Sequence, residues 1–345
     1  MMHHYTLQHG IQDWQNALQA LHLAPESDWQ SLPLFGIVLV GDVPIQSVQS
    51  WADEHRWQLV PLTTQKSTVD VVNSLDNIHN TSVYRCVIFS NAIIDQPVDE
   101  LPRLIKAQLT SRINQAMDIH ILPIDKLLRP HRLACFDMDS TLIEQEVIVE
   151  LARYCHIDQE VSHITESAMR GEIDFATSFS RRVALLAGAD QSIIEQIIAN
   201  NITFQSGALA TIQSLKALGY HTVLVSGGFE PFAKHVAHTL GIDEYHANPL
   251  DIAEGKLTGK VSLPILDGHQ KACIVQHIAK QLGITNDQII CIGDGANDLP
   301  MMSISDIGIA YHAKPIVQEQ ATLAINHTGL EGVLYALGHQ LVSSS

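Results

Sequence analysis

Leu133-Ala134-Cys135-Phe136-Asp137-Met138-Asp139-Ser140-Thr141-Leu142 is the stretch of this 345-residue chain that decides its fold. The apolar run Leu133 to Phe136 reads as a buried strand, and two carboxylates follow it one residue apart. Side chains alternate along a strand, so Asp137 and Asp139 share a face. Beyond the carboxyl end of a strand in an α/β sheet, they converge on the crevice where such sheets bind ligands. Two anions at this spacing need a cation or a proton to offset them.

Working outward, the pattern from Arg132 onward alternates strands with helices. Strand Leu133–Phe136 is followed by a helical stretch from Glu144 to Asn200, which has no strand-like run and reads as an inserted cap at about 144–205. A helix over 208–218 stops at Gly219, a suitable terminator. A strand over 221–225 ends in Ser226-Gly227-Gly228, and a helix follows to about Leu240. A hairpin turning at Glu254-Gly255, a helix over 271–282, a strand over 288–292 and a short strand over 307–310 complete the series. Such βαβ units predict a doubly wound, mostly parallel Rossmann-like sheet. Upstream, strands over 35–40, 57–62, 83–89 and 119–123 alternate with an amphipathic stretch over 45–55 and a helix over 100–117. That βαββαβ order predicts a ferredoxin-like α+β domain over residues 1–125. A short helix is expected near Trp14 to Leu21, and the segment around Lys126 to Arg132 reads as a linker.

Composition limits the functions available. The chain is 46% hydrophobic and 17% charged, as in globular proteins, and its formal net charge is −17. That sign argues against nucleic-acid or anionic-membrane partners. Five scattered cysteines without a CxxC pair predict a reducing, cytoplasmic setting without structural disulfides or zinc. The N-terminus lacks the pattern of a signal peptide, and no apolar run has the length of a membrane span. The pair His235 and His238, at helical spacing, has no third partner nearby and reads as ordinary helix surface or core.

Three strand ends carry polar clusters of different kinds. The first supplies Asp137 and Asp139. The second supplies Ser226, whose hydroxyl joins the bare backbone of Gly227 and Gly228 as an anion cradle. The third, Gly293-Asp294-Gly295-Ala296-Asn297-Asp298, supplies two more carboxylates. Lys271 places a cation nearby. Hard oxygen donors favour Mg²⁺, which bridges readily to phosphate. An aspartate beside such an ion can attack phosphorus, and a neighbouring carboxyl can protonate the leaving oxygen and then activate water. Ser226 is no hydrolase elbow, since Leu224 stands where G-x-S-x-G needs glycine, and no GxxxxGK[ST] loop is present.

At these residues the sequence resembles the haloacid-dehalogenase superfamily, and within it the phosphoserine phosphatases. Asp137-Met138-Asp139-Ser140-Thr141 fits the superfamily signature D-x-D-x-[TV]. Glu146, Ala168-Met169-Arg170-Gly171, Phe175, Arg181-Arg182-Val183, Val225-Ser226-Gly227-Gly228-Phe229 and the Gly293 to Asp298 run fit the narrower group. The resemblance implies a phosphatase domain over 132–345 that hydrolyses O-phospho-L-serine through an aspartyl-phosphate, the last step of serine biosynthesis. It implies Asp137 as nucleophile and Asp139 as general acid/base. Mg²⁺ would be held by Asp137, the Asp139 main-chain carbonyl and Asp294, with Asp298 in support. Ser226, Gly227, Lys271 and Asn297 would bind the phosphoryl end. In the cap, Glu146 would meet the substrate ammonium, Arg182 its carboxylate, and Met169 and Phe175 would close over it. Residues 1–125 resemble the ACT-type domains that accompany some of these enzymes, which implies homodimer contacts or amino-acid sensing. Two rivals share much of this pattern: a related phosphatase or phosphotransferase acting on another small phosphorylated amino acid or alcohol, and an inert, amino-acid-sensing regulatory module.

Overall fold

In a computed structural model, the described residues are all but 1, 2, 9, 22–32, 63–67, 74–81, 91–96, 114, 170, 171, 344 and 345. The chain divides into two compact units. One comprises Met1–His131, Leu209–Gly219 and Leu323–Ser345, the other Arg132–Ala208 and Tyr220–Thr322. A single cut near residue 130 does not describe this division.

Within the first unit, four antiparallel strands lie in the order Gln58–Pro61, Val83–Phe89, Leu34–Val40, Asp118–Pro123. With helices Ile45–Glu54 and Leu101–Arg112 they form the βαββαβ arrangement of a ferredoxin-like sandwich. Alternate strand residues Phe35, Ile37 and Leu39 face one core, packed with Val48 and Trp51 of the first helix and Ile105 and Leu109 of the second. The second helix stops at Arg112 rather than near 117, where Ile113 is already extended. The expected linker is in part the short helix Ile124–Leu128. Its Leu127 packs with Trp14 against Gly36, where a Cβ would meet Leu127 at 2.2 Å and the Trp14 ring at 2.9 Å. Trp14 belongs to helix Gly10–Ala20, which starts four residues before the expected point.

Two long-range ties explain why the C-terminal residues divide with this unit. Asp118 accepts hydrogen bonds from the N–H groups of Asn326, His327 and Thr328 and from the Thr328 hydroxyl, at 2.7–3.1 Å. Strand Gln340–Ser343 pairs antiparallel with His3–Gln8, which also pairs with Thr68–Asn73. None of these three strands is among those expected from the sequence.

His120 lies opposite Val38 in this sheet, is 1% exposed, and has no hydrogen-bond partner on either ring nitrogen among the described residues. Burial pushes its pKa from 6.5 down to about 4; Asp118 pulls the other way and Lys106 reinforces the drop. The folded imidazole is therefore neutral, and the unfolded chain binds the extra proton as pH falls from 6.5 toward 4. Stability from this group, complete above 6.5, should fall by about 2 kcal/mol between pH 7 and pH 5. His120→Leu should flatten that slope in urea titrations at the two pH values; an unchanged slope would refute the assignment.

The second unit is built on five parallel strands in the order Ile307–Tyr311, Ile289–Gly293, Leu133–Phe136, His221–Phe229, Glu244–Asn248. After Leu133–Phe136 the chain winds outward on one side, then returns to add two strands on the other. The switch point thus falls beside the strand that carries the aspartates. Cap helices Val147–Tyr154, Asp158–Met169, Phe175–Ala184 and Ser192–Asn200 follow that strand. The expected hairpin is Ile252–Ala253 paired with Lys256–Leu257. Among the described residues, no helix is long and apolar enough to cross a membrane.

Candidate active site

The site grows from the register of the two central strands. Phe136 pairs with Ile292, and the Asp137 N–H donates to the Ile292 carbonyl at 2.9 Å. The chains after both strands therefore open side by side, and ligand atoms of Asp137, Asp294 and Asp298 lie within 4.8 Å of one another.

Lys271 locks this acidic group. Helix Gly268–Leu282 begins three residues before Lys271 and is capped by Asp267, whose carboxylate accepts the Gln270 N–H at 2.9 Å. The Lys271 Nζ, fully buried, donates to Asp137 Oδ1 at 2.7 Å and Asp298 Oδ1 at 2.6 Å. Burial alone would lower its pKa, but the two carboxylates outweigh that and raise it, so the ammonium stays charged. Asp298 spends its other oxygen on the Gly295 N–H at 3.0 Å. Asp137 Oδ1 also accepts the Met138 N–H at 2.8 Å, which leaves Oδ2 outside this network.

One lysine does not neutralise the cluster. Burial, then repulsion from Asp137 and Asp298, pushes Asp294 up to about 8. Burial and Asp137 push Asp298 to about 7 despite Lys271. Carboxylates raised this far, with hard oxygen donors converging, are a donor set suited to a divalent cation.

Asp139 differs from its neighbour. Its Oδ1 accepts the N–H of Val147 at the start of the first cap helix, at 3.3 Å. Desolvation, then Glu146 and Asp137, push its pKa well above the ordinary aspartate value, which favours the protonated form. Ser140, with a left-handed backbone (φ 56°), turns the chain so that its hydroxyl donates to Glu146 Oε1 at 3.0 Å. Glu146 reaches solvent, yet surrounding protein raises its pKa, against the Ser140 hydrogen bond; Asp137 adds repulsion and Arg182 attraction.

The second strand supplies the Ser226-Gly227-Gly228 loop expected to cradle an anion. The Gly228 N–H donates to Ser226 Oγ at 2.9 Å, and a Cβ on Gly228 would lie 2.9 Å from Asp139 Oδ2, so any larger residue would have to displace that carboxylate. Phe175 of the cap closes over the loop, its Cζ 3.5 Å from where a Gly227 Cβ would stand. It stacks on Phe179, which in turn packs on Phe229, so aromatic rings join cap to core. Arg182, half-buried one turn beyond Ser178, has its pKa lowered by burial and supported by Glu146 and Asp139. Asn297 lies beside Gly295 and Gly268.

Of the residues read from sequence, Asp137, Asp139, Glu146, Phe175, Arg182, Ser226, Gly227, Lys271, Asp294, Asn297 and Asp298 thus belong to one neighbourhood. The Asp139 carboxylate is turned to Val147 and is not in the acidic trio. Met169 ends its cap helix; its side chain, like Arg170 and Gly171, lies outside the described residues. Sequence reasoning missed Asn248, buried behind Gly227, and Gln205, which receives the Tyr311 hydroxyl at 3.3 Å where the chain leaves the cap. Neither carries a local signal beyond being polar.

Comparison with known proteins agrees with this geometry. The haloacid dehalogenase-like hydrolase family matches residues 134–303. A phosphoserine phosphatase of Haemophilus influenzae is 43% identical over 221 residues, 64% of this chain and 70% of that protein. A solved phospho-aspartyl intermediate analogue of phosphoserine phosphatase superposes with a TM-score of 0.56 at 39% identity, covering 60% of this chain and 98% of that one. A HAD family hydrolase from Salmonella enterica serovar Typhi superposes with a TM-score of 0.73 at 27% identity, covering 88% of this chain and 98% of that one.

Proposed function

We infer the reaction of this site from one premise: the chain belongs to the phosphoserine phosphatases, within the haloacid dehalogenase-like hydrolases. It hydrolyses O-phospho-L-serine to serine and phosphate. The observation that carries the chemistry is the contrast between the two strand-end carboxyls. Asp137 is buried and held by Lys271 with Oδ2 outside that contact, whereas the partly buried Asp139 carboxyl faces the Val147 N–H and has its pKa raised well above the ordinary value by desolvation, Glu146 and Asp137.

Asp137 Oδ2 attacks phosphorus, the bond to the serine oxygen breaks, and Asp139 donates its proton to that oxygen. Asp139, now a carboxylate, takes a proton from water; the hydroxide oxygen bonds to phosphorus and Asp137 departs as phosphate forms. Ser226, the Gly227 backbone, Lys271 and Asn297 hold the phosphoryl oxygens. Glu146 pairs with the substrate ammonium and Arg182 with its carboxylate, and Phe175 closes over it. Mg²⁺ would be held by Asp137, Asp294 and the Asp139 main-chain carbonyl, with Asp298 in support, and would neutralise phosphoryl charge. Asp298, with both oxygens engaged, serves chiefly to hold Lys271.

A cytoplasmic setting accords with five free thiols. Dimer contacts through the first unit are proposed at the sheet edge Gln58–Pro61.

Phosphate release from phosphoserine, phosphothreonine and a sugar phosphate, with and without Mg²⁺, tests the reading. Phosphoserine should be preferred by at least about a hundredfold in kcat/KM, and removal of the ion should abolish turnover. Equal rates on the sugar phosphate would overturn the substrate assignment.

A further inference from the structure

Strand His221–Phe229 leaves its ladder with Glu244–Asn248 after Val225 and rejoins it where Phe229 pairs with Asn248. The peptide groups of residues 226–228 therefore need partners other than that ladder. Asn248 supplies one from its side chain. It is 3% exposed, and its Nδ2 donates to the Gly227 carbonyl at 2.9 Å. Its Oδ1 accepts the Leu266 N–H at 2.8 Å, and Nδ2 also reaches the Leu266 carbonyl at 3.5 Å. One amide thus pairs with Leu266 as a strand would, while its remaining donor holds the anion loop.

The Gly227 carbonyl and the Gly228 N–H share one trans peptide plane and point in opposite directions. Fixing the carbonyl on Asn248 aims the N–H the other way, where it donates to Ser226 Oγ. A hydroxyl has one proton and two acceptor lone pairs. With its oxygen receiving the Gly228 N–H, Ser226 has its own proton to offer a bound anion. The other end of the amide has a matching consequence. Leu266 immediately precedes Asp267, whose carboxylate caps the helix of Lys271 and whose carbonyl accepts the Lys271 N–H at 2.9 Å.

We propose that Asn248 is a positioning residue for phosphoryl binding: its amide orients the Gly227–Gly228 peptide so that Ser226 acts as a hydrogen-bond donor, and it registers that loop against the helix bearing Lys271. The role rests on the phosphoryl-binding reading of Ser226 given above. It goes beyond that reading by assigning a residue that touches neither substrate nor ion.

A double-mutant cycle tests it with a readout independent of turnover. Asn248→Asp keeps the size of the side chain and an acceptor for Leu266, but loses the donor to Gly227. Wild type, Asn248→Asp, Ser226→Ala and the double variant are titrated calorimetrically with inorganic phosphate in magnesium buffer. Each single change should weaken phosphate about tenfold. Because Asn248 acts through Ser226, the double variant should be within about twofold of the weaker single. Serine affinity should stay within about twofold in Asn248→Asp. Unchanged phosphate affinity in Asn248→Asp, or full additivity at about a hundredfold in the double variant, would overturn the proposal. Asn248→Ser is carried in parallel, so a folding defect in one variant leaves the cycle readable. Hydrolysis of phosphoserine by the wild type is measured separately. Its failure would refute the reaction, whereas an additive phosphate cycle would refute only the role of Asn248.

Discussion

Asp137→Asn should reduce phosphoserine turnover to background, a loss of at least about 10⁴-fold. The amide keeps the volume of the carboxylate and an oxygen for Lys271, so the fold should survive. What it lacks is the anionic oxygen that forms the bond to phosphorus, and no second group in the cluster is placed to replace it. The Asp139 carboxyl is turned to the Val147 N–H and its pKa is raised by desolvation and by Glu146 and Asp137, and both oxygens of Asp298 are already engaged. Asp294, raised to about 8, is itself short of compensating charge. The change also removes one of the two anions that keep Lys271 charged, leaving Asp298 as its partner. The decisive measurement pairs steady-state phosphate release with mass spectrometry of acid-quenched enzyme. Wild type should yield a phosphorylated protein and the variant none. Residual activity within tenfold of wild type would remove Asp137 from the nucleophile's role.

Much of this site was legible in the chain because its signals are local. Period-two alternation is enough to put Asp137 and Asp139 on one face, and glycines beside Ser226 and Asp294 mark backbone that must approach a ligand. The contrasts that make the site work are not local. The sequence offers Lys271 as a phosphate-side cation, but only the folded chain shows it clamped between Asp137 and Asp298, which are 134 and 27 residues away respectively. Asn248 ends a short strand with no motif around it, and its meaning comes from two segments, at Gly227 and Leu266, that reach it through tertiary structure.

The division of the chain was obscure for the same reason. Strand His3–Gln8 is polar and its partner Gln340–Ser343 lies at the other end of the sequence. Asp118 looks like an ordinary strand residue, yet it collects four hydrogen bonds from residues 326–328. Pairings across such distances leave no periodic trace, whereas the ferredoxin-like order of the intervening strands is set by alternation and run length and could be read directly.

Arg182→Ala should erase the enzyme's preference for a substrate carboxylate. Phosphoserine differs from phosphoethanolamine by that one group, so the ratio of kcat/KM for the two isolates what Arg182 contributes. In the cap, Glu146 and Arg182 are electrostatic partners at opposite signs, and Asp139 lies within reach of both. A zwitterionic substrate would insert its ammonium toward Glu146 and its carboxylate toward Arg182, placing an opposite charge beside each. The planar guanidinium can hold both carboxylate oxygens at once. Losing it strands the substrate carboxylate in a half-buried cap, which costs several kcal/mol where charges are fully desolvated. Here Glu146 still reaches solvent, which screens the pair, so the expected loss is nearer the lower end, about a hundredfold in kcat/KM for phosphoserine. Phosphoethanolamine should change by no more than about threefold, because the phosphoryl machinery of Asp137, Asp139, Ser226 and Lys271 is untouched. Arg182→Lys should recover only part of the loss, since an ammonium cannot reproduce the fork. Equal losses on both substrates would mean that Arg182 supports the cap or Asp139 rather than reading the amino-acid end. The phosphatase chemistry would then stand, and the choice of phosphoserine would have to come from elsewhere in the cap.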